Sequence, residues 1–181
     1  MSCNIFFIFA ARLNNAKMKT QKNPKSKNTK TNTYTQIHIQ TVFAVRYREA
    51  LIEPSWRERL YQYTTAIVQE QGHQILAVGG TANHFHILFG MRPTQSLSSL
   101  MMLVKRETSE WINQKGFCTG EFAWQTGYGA FSYSRSQVPK VVQYIQDQER
   151  HHTKRTFREE YLDMLKKAEV KFDEQYIFED V

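Results

Sequence analysis

From Tyr34 onward the chain divides into short stretches of two periodicities. In YTQIHIQTVFAV (34–45), Ile37, Ile39, Phe43 and Val45 alternate with His38, Gln40, Val42 and Ala44, the period of a strand with one core face. Pro54 and Ser55 then set up a helix N-terminus, and Trp56, Leu60, Tyr63, Ile67 and Val68 recur at helical spacing up to Gly72. HQILAVGG reads as a short buried strand and HFHILFG as a second, the two forming a hairpin around Gly79 to Asn83. Ser96 can cap a helix whose stripe is Leu97, Leu100, Met101, Val104 and Trp111. FAWQTGYGAFSYS (122–134) is a strand or an extended loop. Ser136 opens a last helix, with Pro139 in its first turn and Val138, Val141, Val142 and Ile145 facing inward.

The order strand, helix, strand, strand, helix, strand, helix predicts an α+β domain of ferredoxin-like, RRM-like type. Its antiparallel sheet would carry helices on one face and leave the other open, with the C-terminal helix bearing a tyrosine. Before it, KMKTQKNPKSKNTKTN (17–32) is polar and basic, so residues 1–32 are expected to be a disordered tail and 33–181 the domain.

Charge changes this picture less than its total suggests. The chain of 181 residues has a net charge of +7, but residues 1–48 hold nine Lys or Arg and no acid, while 49–181 hold 15 basic and 17 acidic residues. The basic balance therefore belongs mostly to the tail, although positions 92–158, with ten basic and five acidic residues, allow a local basic face. Two cysteines exclude a disulfide framework and a cysteine-based zinc site. IFFIFAA (5–11) is far shorter than the ~20 residues of a membrane span, and no Walker-type glycine loop is present. A soluble protein of a reducing cytosol, without nucleotide cofactor or membrane partner, is the expectation.

Strand alternation gives TANHFHILFG (81–90) its chemical interest. Phe85, Ile87 and Phe89 point one way, so His84 and His86 share the other face, close enough to chelate one ion. Read from the residues alone, two polar side chains on a solvated face are the simpler explanation of the pair. In VVQYIQDQERHH (141–152), Tyr144 and Gln148 stand four apart on one helix face. A tyrosine there can be packing, or a phenolate nucleophile toward phosphorus whose ionisation a nearby divalent cation would assist.

HFHILFG, SLSSLMMLVKRETSEWIN, FAWQTGYGAFSYSRSQVPKVVQYIQDQERHH and TFREEYLDMLKKAEVKFDEQYIF together resemble, in that order, the single-tyrosine HUH transposases, the single-strand DNA transposases of the insertion-sequence two-hundred family. The resemblance covers about Tyr34 to Phe178. It implies that His84 and His86 are the metal pair, that Tyr144 is the nucleophile and that Gln148 completes the metal site. The ion would be Mg²⁺ or Mn²⁺. Such hard cations prefer oxygen, so Gln148 and the substrate phosphate would supply what two imidazoles lack. Lys105 matches a family lysine expected near the DNA backbone, and Asn83 stands where the family usually has an acid. The implied substrate is single-stranded DNA with subterminal hairpins, and the implied assembly is a homodimer whose tyrosine helix can complete the partner's site. The implied place of action is the bacterial cytosol and nucleoid.

The remaining DNA-binding candidates are Arg106, Trp124, Tyr128 and Arg135. WQTGYGAFSYS could stack unpaired bases, although glycines between aromatics equally suit tight packing. Two alternatives stand beside the transposase reading. One is a non-catalytic nucleic-acid-binding module of ferredoxin-like fold; the other is a domesticated relative that nicks DNA without moving an element.

Overall fold

A computed structural model describes residues 34–49, 51–152, 155–173 and 177. The basic tail expected over residues 1–32 lies outside the described residues. Strand β1 (His38–Ala44) lies at the centre of a four-stranded antiparallel sheet of order β2-β3-β1-β4, with β2 at Gln74–Gly80, β3 at His84–Gly90 and β4 at Gly129–Tyr133. This is the ferredoxin-like order. The register pairs Ala44 with His84 and Val42 with His86, and β2 sets Gly79 opposite His86.

The alternation read along β1 and β3 holds in space. Phe43, Val45, Phe85, Ile87 and Phe89 enter one core with Trp56 and Leu60 of helix α1 (Pro54–Glu70) and Leu100, Met101 and Val104 of helix α2 (Leu97–Lys115). Ser96 caps α2, its side chain accepting from the Ser99 N–H at 3.2 Å. Gly116 ends that helix with φ 62°, a left-handed conformation that costs glycine little.

The second face is not open, which corrects the expectation above. Helix α3 (Val138–Gln146) sets Val138, Val141 and Ile145 against Ala77 and Leu88, and helix α5 (Phe157–Lys167) sets Phe157 and Leu165 against Val42, Ala44 and Phe131. Those strand residues are apolar, and leaving them in water would cost ~25 cal/mol per Å². Two glycines let the helices come close. A Cβ on Gly79 would lie 2.3 Å from the Ile145 carbonyl oxygen, and one on Gly129 would lie 2.6 Å from the Tyr161 ring.

Two boundaries differ from those predicted. The last core helix is capped by Gln137, because the Ser136 hydroxyl is engaged with Ser134 at 2.9 Å and Ser134 to Gln137 form a turn. The helix also breaks at Asp147, so Gln148 opens a separate short helix, α4 (Gln148–His152). Among the described residues, no helix is long and apolar enough to cross a membrane.

Candidate functional site

The site lies where β3, α3, α4 and α5 meet. His84 and His86 project from β3 onto the second sheet face and are fully buried, not solvated. The close approach of α3 over Gly79 brings Tyr144 beside its register partner His86, with ring centroids 6.1 Å apart at 86°. The break at Asp147 turns Gln148 inward, so Tyr144 and Gln148 reach one place although no single helix carries both.

Helix α5 closes the site. Thr156 and Glu159 form a reciprocal capping box that fixes its first turn. Phe157 then stacks on His84 at 4.2 Å, and one turn later Glu160, 4% exposed, points between the imidazoles. Its Oε1 lies 3.4 Å from His86 Nε2 and accepts from Gln148 Nε2 at 3.0 Å, and its Oε2 lies 3.7 Å from His84 Nε2. The Tyr144 hydroxyl donates to the same Oε1.

Hydrogen bonds behind the ring fix the tautomer of His84. Asn83 Oδ1, which can only accept, is 2.8 Å from Nδ1, so Nδ1 carries the proton. Nε2 then presents a lone pair, yet it faces Gln148 Oε1 at 3.0 Å and the Glu160 carboxylate beyond. Three acceptors converge on one point. A proton on Nε2 or a cation between them resolves the repulsion. Hard divalent ions bind at 2.0–2.1 Å, which separates neighbouring ligand atoms by about 3 Å, close to the spacings here. The donor set also suits such an ion, because Gln148 and Glu160 add the oxygens that two imidazoles lack. His84, His86 and Glu160 form one compact metal-capable group, and Gln148 adjoins it.

This surrounding acts against the phenol. Burial first, then the Glu160 charge and its hydrogen bond, push the Tyr144 hydroxyl well above the ordinary tyrosine value, while Gln148 and Arg155 oppose the shift only in part. As arranged, the phenol is held in its neutral form.

Glu160 is absent from the sequence-derived site. Its signal was an acid three residues after Phe157 and five before Leu165, on the inward face of an amphipathic helix. Gln40 was also missed. It is buried on β1, with Nε2 3.0 Å from His86 Nδ1 and Oε1 accepting from the Tyr133 hydroxyl at 3.0 Å.

The expected DNA-binding residues are not brought together. Trp124 lies in the core. It is buried against Phe43, Phe85 and Phe122, and its Nε1–H donates to Thr108 Oγ1 at 2.8 Å, so it offers no surface for a base. Tyr128 is half-buried against the same core. Lys105 lies over the Phe43 ring and donates to the carbonyls of Gln125 and, at 2.6 Å, Gly127, so its ammonium is spent on a loop. Arg106 pairs with its neighbour Glu107 at 2.7 Å, and Arg135 is exposed in the turn before α3.

The sheet is ferredoxin-like, a histidine pair is buried on its second face, and the helix after the fourth strand sets a tyrosine beside that pair. Residues 33–148 match the family described as "Transposase IS200 like", well over half the chain, and the protein belongs to that family. A crystal structure of a protein from Deinococcus radiodurans assigned as a transposase is 17% identical, with a TM-score of 0.51 over 65% of this chain and 95% of that one; at that identity the likeness is one of fold. A REP-associated tyrosine transposase solved with a REP hairpin is 14% identical, with a TM-score of 0.48 over 65% of this chain and 69% of that one. Comparison with curated proteins found no match.

Proposed function

We propose that this transposase cleaves and rejoins single-stranded DNA at the ends of an insertion element, through a covalent link between Tyr144 and a 5′ phosphate. The observation that carries the reading is the meeting of the Tyr144 hydroxyl with His84, His86 and Gln148 in one buried cluster. A tyrosine kept only for packing has no reason to face a group able to bind a metal. His84, His86 and Gln148 would hold Mg²⁺ or Mn²⁺. When bound, the ion supplies positive charge that favours the phenolate and polarises the scissile phosphate.

The residues of the chain do the rest. The Tyr144 phenolate oxygen bonds to phosphorus, and the bond to the departing 3′ oxygen breaks, leaving a 5′-phosphotyrosine and a free 3′ hydroxyl. A 3′ hydroxyl of another strand attacks the same phosphorus, and Tyr144 leaves. Strand exchange thus conserves bond energy and uses no nucleotide. In the DNA-free protein the Phe157 ring stacks on His84 and closes that side of the cluster.

Family likeness further suggests hairpin-bearing ends, a homodimer and action in the bacterial cytosol. Tyr144 stands beside His86 of its own chain. We assign the chemistry to residues 33–181 and a general attraction for phosphate to the basic arm of residues 1–32.

The test is a covalent adduct. Protein incubated with Mn²⁺ and single-stranded DNA from the flanks of its own gene should give a species that survives a denaturing gel. Tyr144→Phe, His86→Ala and chelator should each abolish it. A wild-type protein that gives no adduct with any flanking end sequence would defeat the catalytic reading and leave a DNA-binding module.

A further inference from the structure

Glu160 is the group that the chemistry proposed above does not use, although both its carboxylate oxygens face into the site. One carboxylate oxygen accepts from both Tyr144 and Gln148 and lies 3.4 Å from His86, while the other lies 3.7 Å from His84. A scissile phosphate would need those same neighbours: an oxygen facing the cation between the imidazoles, and phosphorus within reach of the tyrosine oxygen. Carboxylate and phosphate oxygens are both hard anionic ligands, so one can stand where the other must. They cannot stand there together.

We propose that Glu160 is a ligand of the cation in the resting protein and that the scissile phosphate replaces it, so that α5 swings away as single-stranded DNA enters. The inference rests on the metal-assisted reading given above and concerns a residue outside that reading's ligand set.

The way α5 is held supports exchange rather than a permanent seat. Its attachments to the site, Phe157 stacked on His84, Glu160 among the donors and Tyr161 beside Gly129, lie near its N-terminus. Leu165 further along packs with Val42, Ala44 and Phe131 and leaves the N-terminal turns to lift about that anchor. A helix of 11 residues is marginal in water once it leaves the sheet, so its displacement opens its amides to exchange. The exchange also removes what disables the nucleophile. With Glu160 in place the phenol gives its hydrogen to a buried carboxylate and has no phosphate to attack. With Glu160 withdrawn, both defects end in one movement.

The experiment uses the full chain and two readouts that need no cleavage. Calorimetric titration with Mn²⁺ alone should show Glu160→Gln and Glu160→Ala losing affinity by at least about tenfold, the lower bound for removing even an outer partner of a metal site. At saturating Mn²⁺ the same variants should bind single-stranded DNA about tenfold more tightly than wild type, as expected if the closed state holds roughly nine molecules in ten. Adduct should then form faster than in wild type.

Unchanged Mn²⁺ affinity in both variants would overturn the ligand assignment. DNA binding that fails to improve at saturating Mn²⁺, or adduct lost there, would overturn the exchange. Should the variants misfold, hydrogen exchange on wild type decides the matter. The amides of α5 should be protected with Mn²⁺ and lose protection when DNA is added, and protection that persists with DNA bound sinks the proposal. A wild-type protein that binds Mn²⁺ and DNA but forms no adduct would fail the catalytic reading instead, leaving these binding results to stand or fall separately.

Discussion

Gln40 stands behind His86 as Asn83 stands behind His84, but with the opposite polarity. Its Nε2 is 3.0 Å from His86 Nδ1, while its Oε1 accepts from the Tyr133 hydroxyl. An amide nitrogen donates, so His86 Nδ1 accepts and its proton sits on Nε2, aimed at Glu160 Oε1 3.4 Å away. To ligate through Nε2, His86 must carry the proton on Nδ1. The Gln40 amide must then turn over, with Tyr133 changing from donor to acceptor.

That relationship sets a prediction of opposite sign for two substitutions. Gln40→Glu can only accept from Nδ1–H, which fixes the ligating tautomer, so Mn²⁺ affinity should rise. Gln40→Leu removes the partner altogether and should lower affinity by roughly 10–100-fold, the usual cost of losing an outer-shell bond. Titration calorimetry reads both. A fall in both variants would mean that Gln40 only fills space.

Gly79→Ala tests whether backbone contact places Tyr144. The added methyl would meet the Ile145 carbonyl oxygen at 2.3 Å, so α3 must lift from β2. Overpacking of this kind costs about 1–3 kcal/mol, which a urea midpoint would show. Adduct formation should fall further than the loss of folded protein explains, because Tyr144 precedes Ile145. An intact adduct rate in a destabilised variant would show that the tyrosine is placed by other contacts.

Lys105 makes stability depend on pH in the alkaline range. Burial lowers its ammonium from the ordinary 10.5 to about 8, although two carbonyl acceptors hold it charged. Between those values the unfolded chain binds a proton that the folded chain lacks, so stability should rise with pH from about 8 to about 10.5. Below that window both states are charged, and the contribution is flat. Comparison with Lys105→Met isolates the effect from the tyrosines. If the difference in urea midpoint between the two proteins does not move across the window, the lysine is not desolvated.

Trp124→Phe separates core from interface. The change removes the hydrogen bond to Thr108, whose hydroxyl still donates to the Val104 carbonyl at 2.6 Å, so about 0.5–1.5 kcal/mol of stability should be lost. Affinity for single-stranded DNA should not change. A marked loss of affinity at equal stability would return Trp124 to the binding surface.

Much of this was legible in the sequence because it rests on periodicity. Alternation in HFHILFG put Phe85, Ile87 and Phe89 in one core and both histidines on the other face, where they are found. Spacing in VPKVVQYIQ gave a helix with Val138, Val141 and Ile145 inward, which placed Tyr144. What failed is what periodicity cannot carry. Val42, Ala44 and Leu88 were visible as apolar residues on the face read as open, but nothing local said that two later helices would cover them. Trp124 was ambiguous for the same reason, since an aromatic beside glycines serves packing and stacking alike. Glu160 joined the histidines only through tertiary closure, and the break at Asp147 changed how Gln148 arrives without changing where.

His84 and the Gln148 amide that faces it are 64 residues apart in the chain, and Glu160 lies further on. Contacts of such long range are slow to form, because loop closure must precede any gain from them. A chain still being made, or one partly unfolded, therefore holds Tyr144 away from His84 and His86. The cluster of His84, His86, Gln148 and Glu160 is thus a property of the finished molecule, absent from any shorter stretch of the chain made on its own.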